Sequence, residues 1–142
     1  MDIKIYQNIE GAKQAKGLTV VIDVFRAFTV EAYFLYAGAK KIIPVGIADT
    51  AYSLKRSHPE YILCGERHGK ILPGFDCGNS PYENQTMAVA GKTIIHTTSA
   101  GTQGIVNAIY ASEILGCCLA NARATAEYIK HSGAKTVSLV CM

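Results

Sequence analysis

The sequence predicts an α/β protein: three layers, α/β/α, built on a mostly parallel sheet with helices on both faces. Three observations point there. Short apolar runs rich in β-branched residues alternate with helix-like segments along the whole chain. The run Leu18-Thr19-Val20-Val21-Ile22 has no charged face, as expected of a central strand covered on both sides. Charged and hydroxyl residues gather just after the apolar runs, at the carboxyl ends of strands, where open α/β sheets hold ligands.

Bulk properties narrow the function classes. A chain of 142 residues fits one domain, 1–142, and can bury a core. Its 49% hydrophobic content is high for this length, which makes a homodimer an expectation. A net charge of +3, spread over the edges of elements at Lys13, Lys16, Lys40, Lys41 and Lys55, gives no footprint for nucleic acid. No apolar run approaches the roughly 18 residues of a membrane span. Met1-Asp2-Ile3-Lys4 opens no signal-peptide core, so a cytoplasmic location is expected. Five cysteines, an odd number without scaffold spacing, read as free thiols in a reducing compartment.

Taken in order, Asp2 to Tyr6 reads as a first strand, and Ile9 to Lys16 as a helix-like or loop segment. Leu18 to Val24 is the central strand. A helix is predicted from Ala27 to Ala37; it is apolar nearly all round and should be largely buried, and Gly38 ends it. Lys41 to Val45 is a strand, placed at an end or edge by Pro44. Asp49 should cap a helix over Thr50 to Ser57. Tyr61-Ile62-Leu63 is a buried strand leading into a long polar loop, Cys64 to Pro81. Ser80-Pro81 then predicts a cap and first helical turn, with the helix continuing toward Ala90. Lys92 to Thr98 is a strand, Gln103 to Ala111 a helix, Glu113 to Leu119 a strand, Ala122 to His131 a helix, and Thr136 to Cys141 a last strand. A strand with nothing after it is unusual, so the 142 residues are expected to be the N-terminal part of a longer domain.

The loop from Cys64 to Pro81 is the strongest candidate site. It sets Glu66, Arg67, Asp76, Asn79 and Ser80 among several glycines and prolines. A plain surface loop with scattered ion pairs is the competing possibility. Three further strand ends can join it: Asp23 with Arg26, the turn Thr98-Ser99-Ala100-Gly101-Thr102, and Asn121. Together they suit a small phosphorylated acid. Arginine binds phosphate oxygens with a two-pronged fork. A hydroxyl- and glycine-rich turn opening a helix offers N–H groups to an anion. Carboxylates with few nitrogen or sulfur neighbours suit Mg²⁺.

Asp23, Glu66 and Asp76 are the candidate catalytic and metal-binding carboxylates. Arg26, Arg67, Asn79, Ser80, Thr98, Ser99, Gly101, Thr102 and Asn121 are the candidate substrate-binding residues. Asp23 suits a helix N-cap equally well, and Asn121 a turn. His96, in an apolar strand, reads as a satisfied core histidine. No nucleotide-binding glycine pattern is present, so ATP and NAD are unsupported. Cys64, His68 and Cys77 make a weak zinc set. Cys117 and Arg123 have the spacing of thiol phosphatases, but no glycine lies between them and Cys117 sits in an apolar strand.

Three segments together resemble the 2-phosphosulfolactate phosphatase family, the ComB-like proteins. They are Val21-Ile22-Asp23-Val24-Phe25-Arg26-Ala27-Phe28-Thr29, Gly65-Glu66-Arg67-His68-Gly69 through Gly74-Phe75-Asp76-Cys77-Gly78-Asn79-Ser80-Pro81, and Thr97-Thr98-Ser99-Ala100-Gly101-Thr102. The resemblance implies that family's α/β fold and Mg²⁺-dependent hydrolysis of 2-phospho-3-sulfolactate to 3-sulfolactate and phosphate, on the route to coenzyme M. Ala100 stands where the family's turn usually has Asn, and family members continue past Met142. The alternative from another class is a non-catalytic module that binds a phosphorylated metabolite.

Overall fold

The computed structural model describes all residues from Met1 to Met142. The chain runs β1 (Asp2–Gln7), α1 (Asn8–Ala12), β2 (Gly17–Ile22), α2 (Ala27–Tyr36), β3 (Lys41–Pro44), α3 (Ala48–Ser57), β4 (Ile62–Arg67), β5 (Lys70–Ile71), β6 (Thr93–Thr97), α4 (Gly101–Asn107), β7 (Ala111–Cys117), α5 (Ala122–His131) and β8 (Thr136–Cys141). The fold is α/β with mostly parallel strands and flanking helices, consistent with α/β/α layering. Its strands divide between two four-stranded sheets, ordered β1-β8-β2-β7 and β3-β6-β4-β5. Every pairing is parallel except the hairpin β4–β5.

The division follows from what covers each strand. In the first sheet, Val21 and Val140 share a core with Ala12 of α1 and Ala27 and Phe28 of α2. The opposite face carries Leu18, Val20 and Val137, against Ile129 of α5. In the second sheet, Cys64 and Ile94 pack on Val30 and Phe34 of α2. Leu63 and Ile95 pack on Ala51 of α3 and on Phe75. Helix α2 therefore belongs to both cores: its first turn serves one sheet and its middle the other. That explains an apolar surface nearly all round. Burial of Phe28 alone contributes roughly 1.5–3 kcal/mol. The last turn departs from the expected burial, since Tyr33, Leu35 and Tyr36 are exposed. Helix α4 likewise touches strands of both sheets.

Several local expectations change. The strand before the polar loop reaches Arg67, so Glu66 and Arg67 are strand residues. His68 and Gly69, both at positive φ (53° and 75°), close the tight hairpin to β5. Turns with positive φ at both central residues match the twist of paired strands. The helix expected after Pro81 is absent. Ser80 Oγ does accept the Glu83 N–H at 3.3 Å, but Asn84 Nδ2 then donates to Gly78 O at 2.7 Å and folds the chain back as turns. Asp49 lies in the first turn of α3 behind an N-cap at Ile47, so it complements the helix dipole without capping. Helix α4 stops at Asn107, and β7 begins at Ala111.

Candidate active site

The ends of β2, β4 and β6 converge where the two sheets meet. A cleft of about 220 Å³ opens there, lined by Asp23, Phe25, Arg26, Glu66, Gly69, Asn79, Thr98, Ser99 and Ala100. A second lobe shares Arg26, Gly69 and Asn79 with it and adds Gly78, Ser80 and Glu83. Of the expected site residues, the structure gathers Asp23, Arg26, Glu66, Asn79, Ser80, Thr98 and Ser99 around these two lobes.

Asp23 leaves the buried end of β2 and is itself buried. Its Oδ1 accepts the Ala27 N–H at 3.3 Å, so the cap-like contact and a place in the cleft coexist. Burial pushes its carboxyl above the usual range, against the N–H groups of Ala27 and Gly101 and the nearby His96; Glu66 adds to the rise. Gly101 makes room for it: a Cβ there would stand 2.8 Å from Asp23 Oδ2.

Glu66 is tied on both sides. Its Oε1 accepts the Ser99 N–H at 2.7 Å. Its Oε2 accepts the Gly69 N–H at 2.7 Å and the Ser99 hydroxyl at 3.1 Å. Burial opposes ionisation, but these donors and the Arg67 charge outweigh it and hold the carboxyl below the usual glutamate range. These bonds favour the ionised form of Glu66 and lock the hairpin tip to the turn after β6.

Arg26 is exposed and lines both lobes, and its guanidinium forms no hydrogen bond or ion pair with the protein. It is the only basic side chain on either wall. The peptide bond before it, Phe25–Arg26, is cis. Arg67 does a different job. Its guanidinium donates to Glu66 O at 2.7 Å, Gly46 O at 3.0 Å and Thr97 Oγ1 at 2.8 Å, so it braces β4, β6 and the loop after β3 and lies outside the cleft wall.

Other expected site residues also fall outside. Asp76 is exposed; its carboxylate accepts the Leu63 N–H at 2.7 Å and pairs with Lys55 at 3.4 Å. It secures the loop to β4, and the expected third carboxylate of the site is missing from the cleft. Asn121 accepts the Cys118 N–H at 2.8 Å and donates to Gly116 O at 2.9 Å, which makes it a turn residue. Thr102 spends its hydroxyl inside the turn: it accepts the Thr98 N–H at 2.8 Å, while its own N–H donates to Thr98 Oγ1 at 3.1 Å. With the Ser99 N–H on Glu66, much of the expected anion-binding turn is committed to the protein. Gly101 shapes the pocket for Asp23.

Behind the cleft stand His96, buried and hydrogen-bonded as expected of a core histidine, and Glu31, which the sequence reading missed. His96 Nδ1 lies 2.6 Å from Glu31 Oε1, and its Nε2 lies 2.8 Å from Asn79 Oδ1. Glu31 had one legible signal: it is the lone acid in an otherwise apolar helix. The thiol alternatives have no geometry behind them. Burial pushes the Cys117 thiol up. The Cys77 thiol, then burial, pushes Cys64 well up. His68 sits exposed at the hairpin tip, away from a zinc set with the buried Cys64 and Cys77.

No group of three or more His, Cys, Asp or Glu side chains forms a ready metal centre. Asp23 and Glu66 are the two carboxylates on the first lobe, and Glu83 lines only the second. Such a pair fits Mg²⁺, which is commonly held by one or two carboxylates while keeping waters and taking phosphate oxygens from the substrate. No helix is long and apolar enough to cross a membrane.

Comparison with known proteins identifies the family. The family model for 2-phosphosulpholactate phosphatase matches residues 3–142. A Bacillus subtilis (strain 168) protein named "Probable 2-phosphosulfolactate phosphatase" is 37% identical over 130 residues, 92% of this chain and 57% of its own length. Proteins of the same name from Caldanaerobacter subterraneus subsp. tengcongensis and Carboxydothermus hydrogenoformans are 38% and 44% identical, over 96% and 78% of this chain and 57% and 45% of theirs. The chain spans about half the length of these curated relatives. With the family's match running over nearly every residue, including Asp23, Arg26, Glu66 and Asn79 that meet at the cleft, the chain belongs to the 2-phosphosulpholactate phosphatase family.

Proposed function

We propose that this domain carries the site of a Mg²⁺-dependent phosphatase acting on a small anionic phosphomonoester, with 2-phospho-3-sulfolactate as the substrate that the relatives' names suggest. The observation that carries the reading is Arg26: a guanidinium with no protein partner, facing two carboxylates across a small polar cleft. Arg26 would fork onto the non-bridging phosphate oxygens. Asn79 and Ser80 would contact the substrate from the second lobe. Asp23 and Glu66 would hold Mg²⁺, which when bound supplies positive charge against the phosphoryl oxygens.

Charge balance supports the ion. One guanidinium against Asp23 and Glu66 leaves the cleft negative once both are ionised, and a phosphate dianion would be repelled. Asp23 is also a buried carboxyl without an ion-pair partner, a costly arrangement that a cation would relieve. The five free thiols support a reducing compartment, as in the cytoplasm. Exposed Phe25, Tyr33 and Tyr36 leave apolar surface for a homodimer.

A binding module without turnover is the second reading. It is favoured by the turn amides of Thr98, Ser99 and Thr102 being already bonded within the protein. Isothermal titration with inorganic phosphate and Mg²⁺, paired with a phosphate-release assay, separates the two. Release above background supports the phosphatase. Binding without release supports the module. Arg26→Ala is expected to weaken phosphate binding by roughly tenfold or more, the scale of one lost charge-assisted pair.

A further inference from the structure

The cluster Glu31–His96–Asn79 runs from helix α2 through strand β6 to the cleft wall, and neither the family match nor the function above uses Glu31 or His96. His96 is 1% exposed and the Glu31 side chain 16%. Asn79 is buried as well, yet lines both lobes. Its Oδ1 is taken by His96 Nε2. Its Nδ2 has no acceptor in the protein, and no fully buried polar side-chain atom is left unpaired, so Nδ2 opens onto the cleft.

Donor and acceptor counting links the three residues. A carboxylate only accepts, so His96 Nδ1 must donate to Glu31. A neutral imidazole then has only an acceptor left at Nε2. It would have to accept a hydrogen bond from the Asn79 NH₂ group, turning the carbonyl oxygen of Asn79 toward the cleft. An imidazolium donates from both nitrogens. It holds Oδ1 inward and turns the NH₂ group outward. The state of His96 therefore decides whether the cleft meets an oxygen or two N–H donors at this point, and an anion needs the donors.

We propose that Glu31 and His96 form a buried positioning relay: Glu31 holds His96 as an imidazolium, and His96 fixes the Asn79 amide with its NH₂ toward the anion in the cleft. Asn79 is the contacting group; Glu31 and His96 act through it. The titratable groups around the imidazole are Glu31 on α2, Asp23 at the end of β2, and the Cys64 thiol opposite His96 in the β4–β6 ladder. No basic group is among them; burial of the ring opposes its charge, and the Glu31 carboxylate at 2.6 Å is the group placed to offset that cost. The relay rests on the anion-binding reading of the cleft, but its first readout is independent of activity.

The experiment is a ¹⁵N–¹H correlation of the histidine rings in the whole chain near neutral pH, followed by titration with inorganic phosphate in the presence of Mg²⁺. The expected spectrum shows both His96 ring nitrogens protonated, assigned by its loss in His96→Gln. In Glu31→Gln the ring becomes neutral and phosphate affinity falls about tenfold, the worth of a hydrogen bond to a charged group. Glu31→Asp restores part of both. Asn79→Ala shows the same loss of affinity with the wild-type His96 spectrum retained. A single protonated nitrogen in the wild-type ring overturns the relay without any variant being made. A doubly protonated ring with unchanged phosphate affinity in Asn79→Ala overturns it as well. Failure of the wild type to bind phosphate overturns the anion-site reading of the cleft, while the His96 spectrum still judges the Glu31–His96 pair.

Discussion

Asp23 and Glu66 are chemically alike and thermodynamically opposite. Glu66 is held below the usual range by its N–H and O–H donors. Its stabilisation is complete above the ordinary glutamate pKa of about 4.3 and is lost as pH falls through the lowered folded value. Asp23 is pushed up by burial, so its ionisation costs stability as pH rises through the raised folded value. Thermal melts at neutral pH should therefore diverge. Glu66→Gln should lose about 1–3 kcal/mol, because an amide cannot satisfy three donors. Asp23→Asn should melt at or above the wild type while losing phosphate release. A destabilised Asp23→Asn with wild-type activity would show that this carboxyl serves the fold and not the site. Cation binding to Asp23 requires its ionised form. The acid-side pKa of the rate profile should move down as Mg²⁺ is raised; an unmoved pKa would separate Asp23 from the ion.

At the level of elements, the close approach of β4 to β6 sets the cleft. Gly65 lies at φ +152°, and a Cβ there would stand 2.0 Å from the Thr97 carbonyl oxygen. Gly65→Ala should cost about 3 kcal/mol or more in a urea melt and displace Glu66 from Ser99. A mild loss would show that the ladder can part locally without harm. These elements were largely legible in the sequence. Central β2 announced itself by a run without a charged face, and Gly38 marked the end of α2, at positive φ. The reach of β4 into Glu66 and Arg67 was hidden by charge, since the strand ends in polar residues whose partners come from β6 and from the loop after β3. The turns after Pro81 were hidden because Asn84 reaches back to Gly78, a contact that propensity does not encode.

For the whole molecule, the division into two sheets sharing α2 could not be read from strand order alone. Apolar periodicity marks which residues are buried and not which sheet they join. The same division decides the site. Asp23 comes from one sheet, while Glu66, Thr98 and Ser99 come from the other, so the cleft exists only where the sheets meet. Sequence reasoning grouped these residues with Asp76, whose carboxylate instead closes the loop onto Leu63 and Lys55. It left out Glu31, because one acid in an apolar helix says nothing of the histidine 65 positions away that receives it. The most direct test of the central claim is phosphate release from 2-phosphosulfolactate with Mg²⁺ and with EDTA, on the wild-type chain and on Asp23→Asn. The account predicts release that requires Mg²⁺ and disappears in the variant. Release that survives both EDTA and Asp23→Asn would contradict it, as would a folded chain that binds phosphate and Mg²⁺ without turnover.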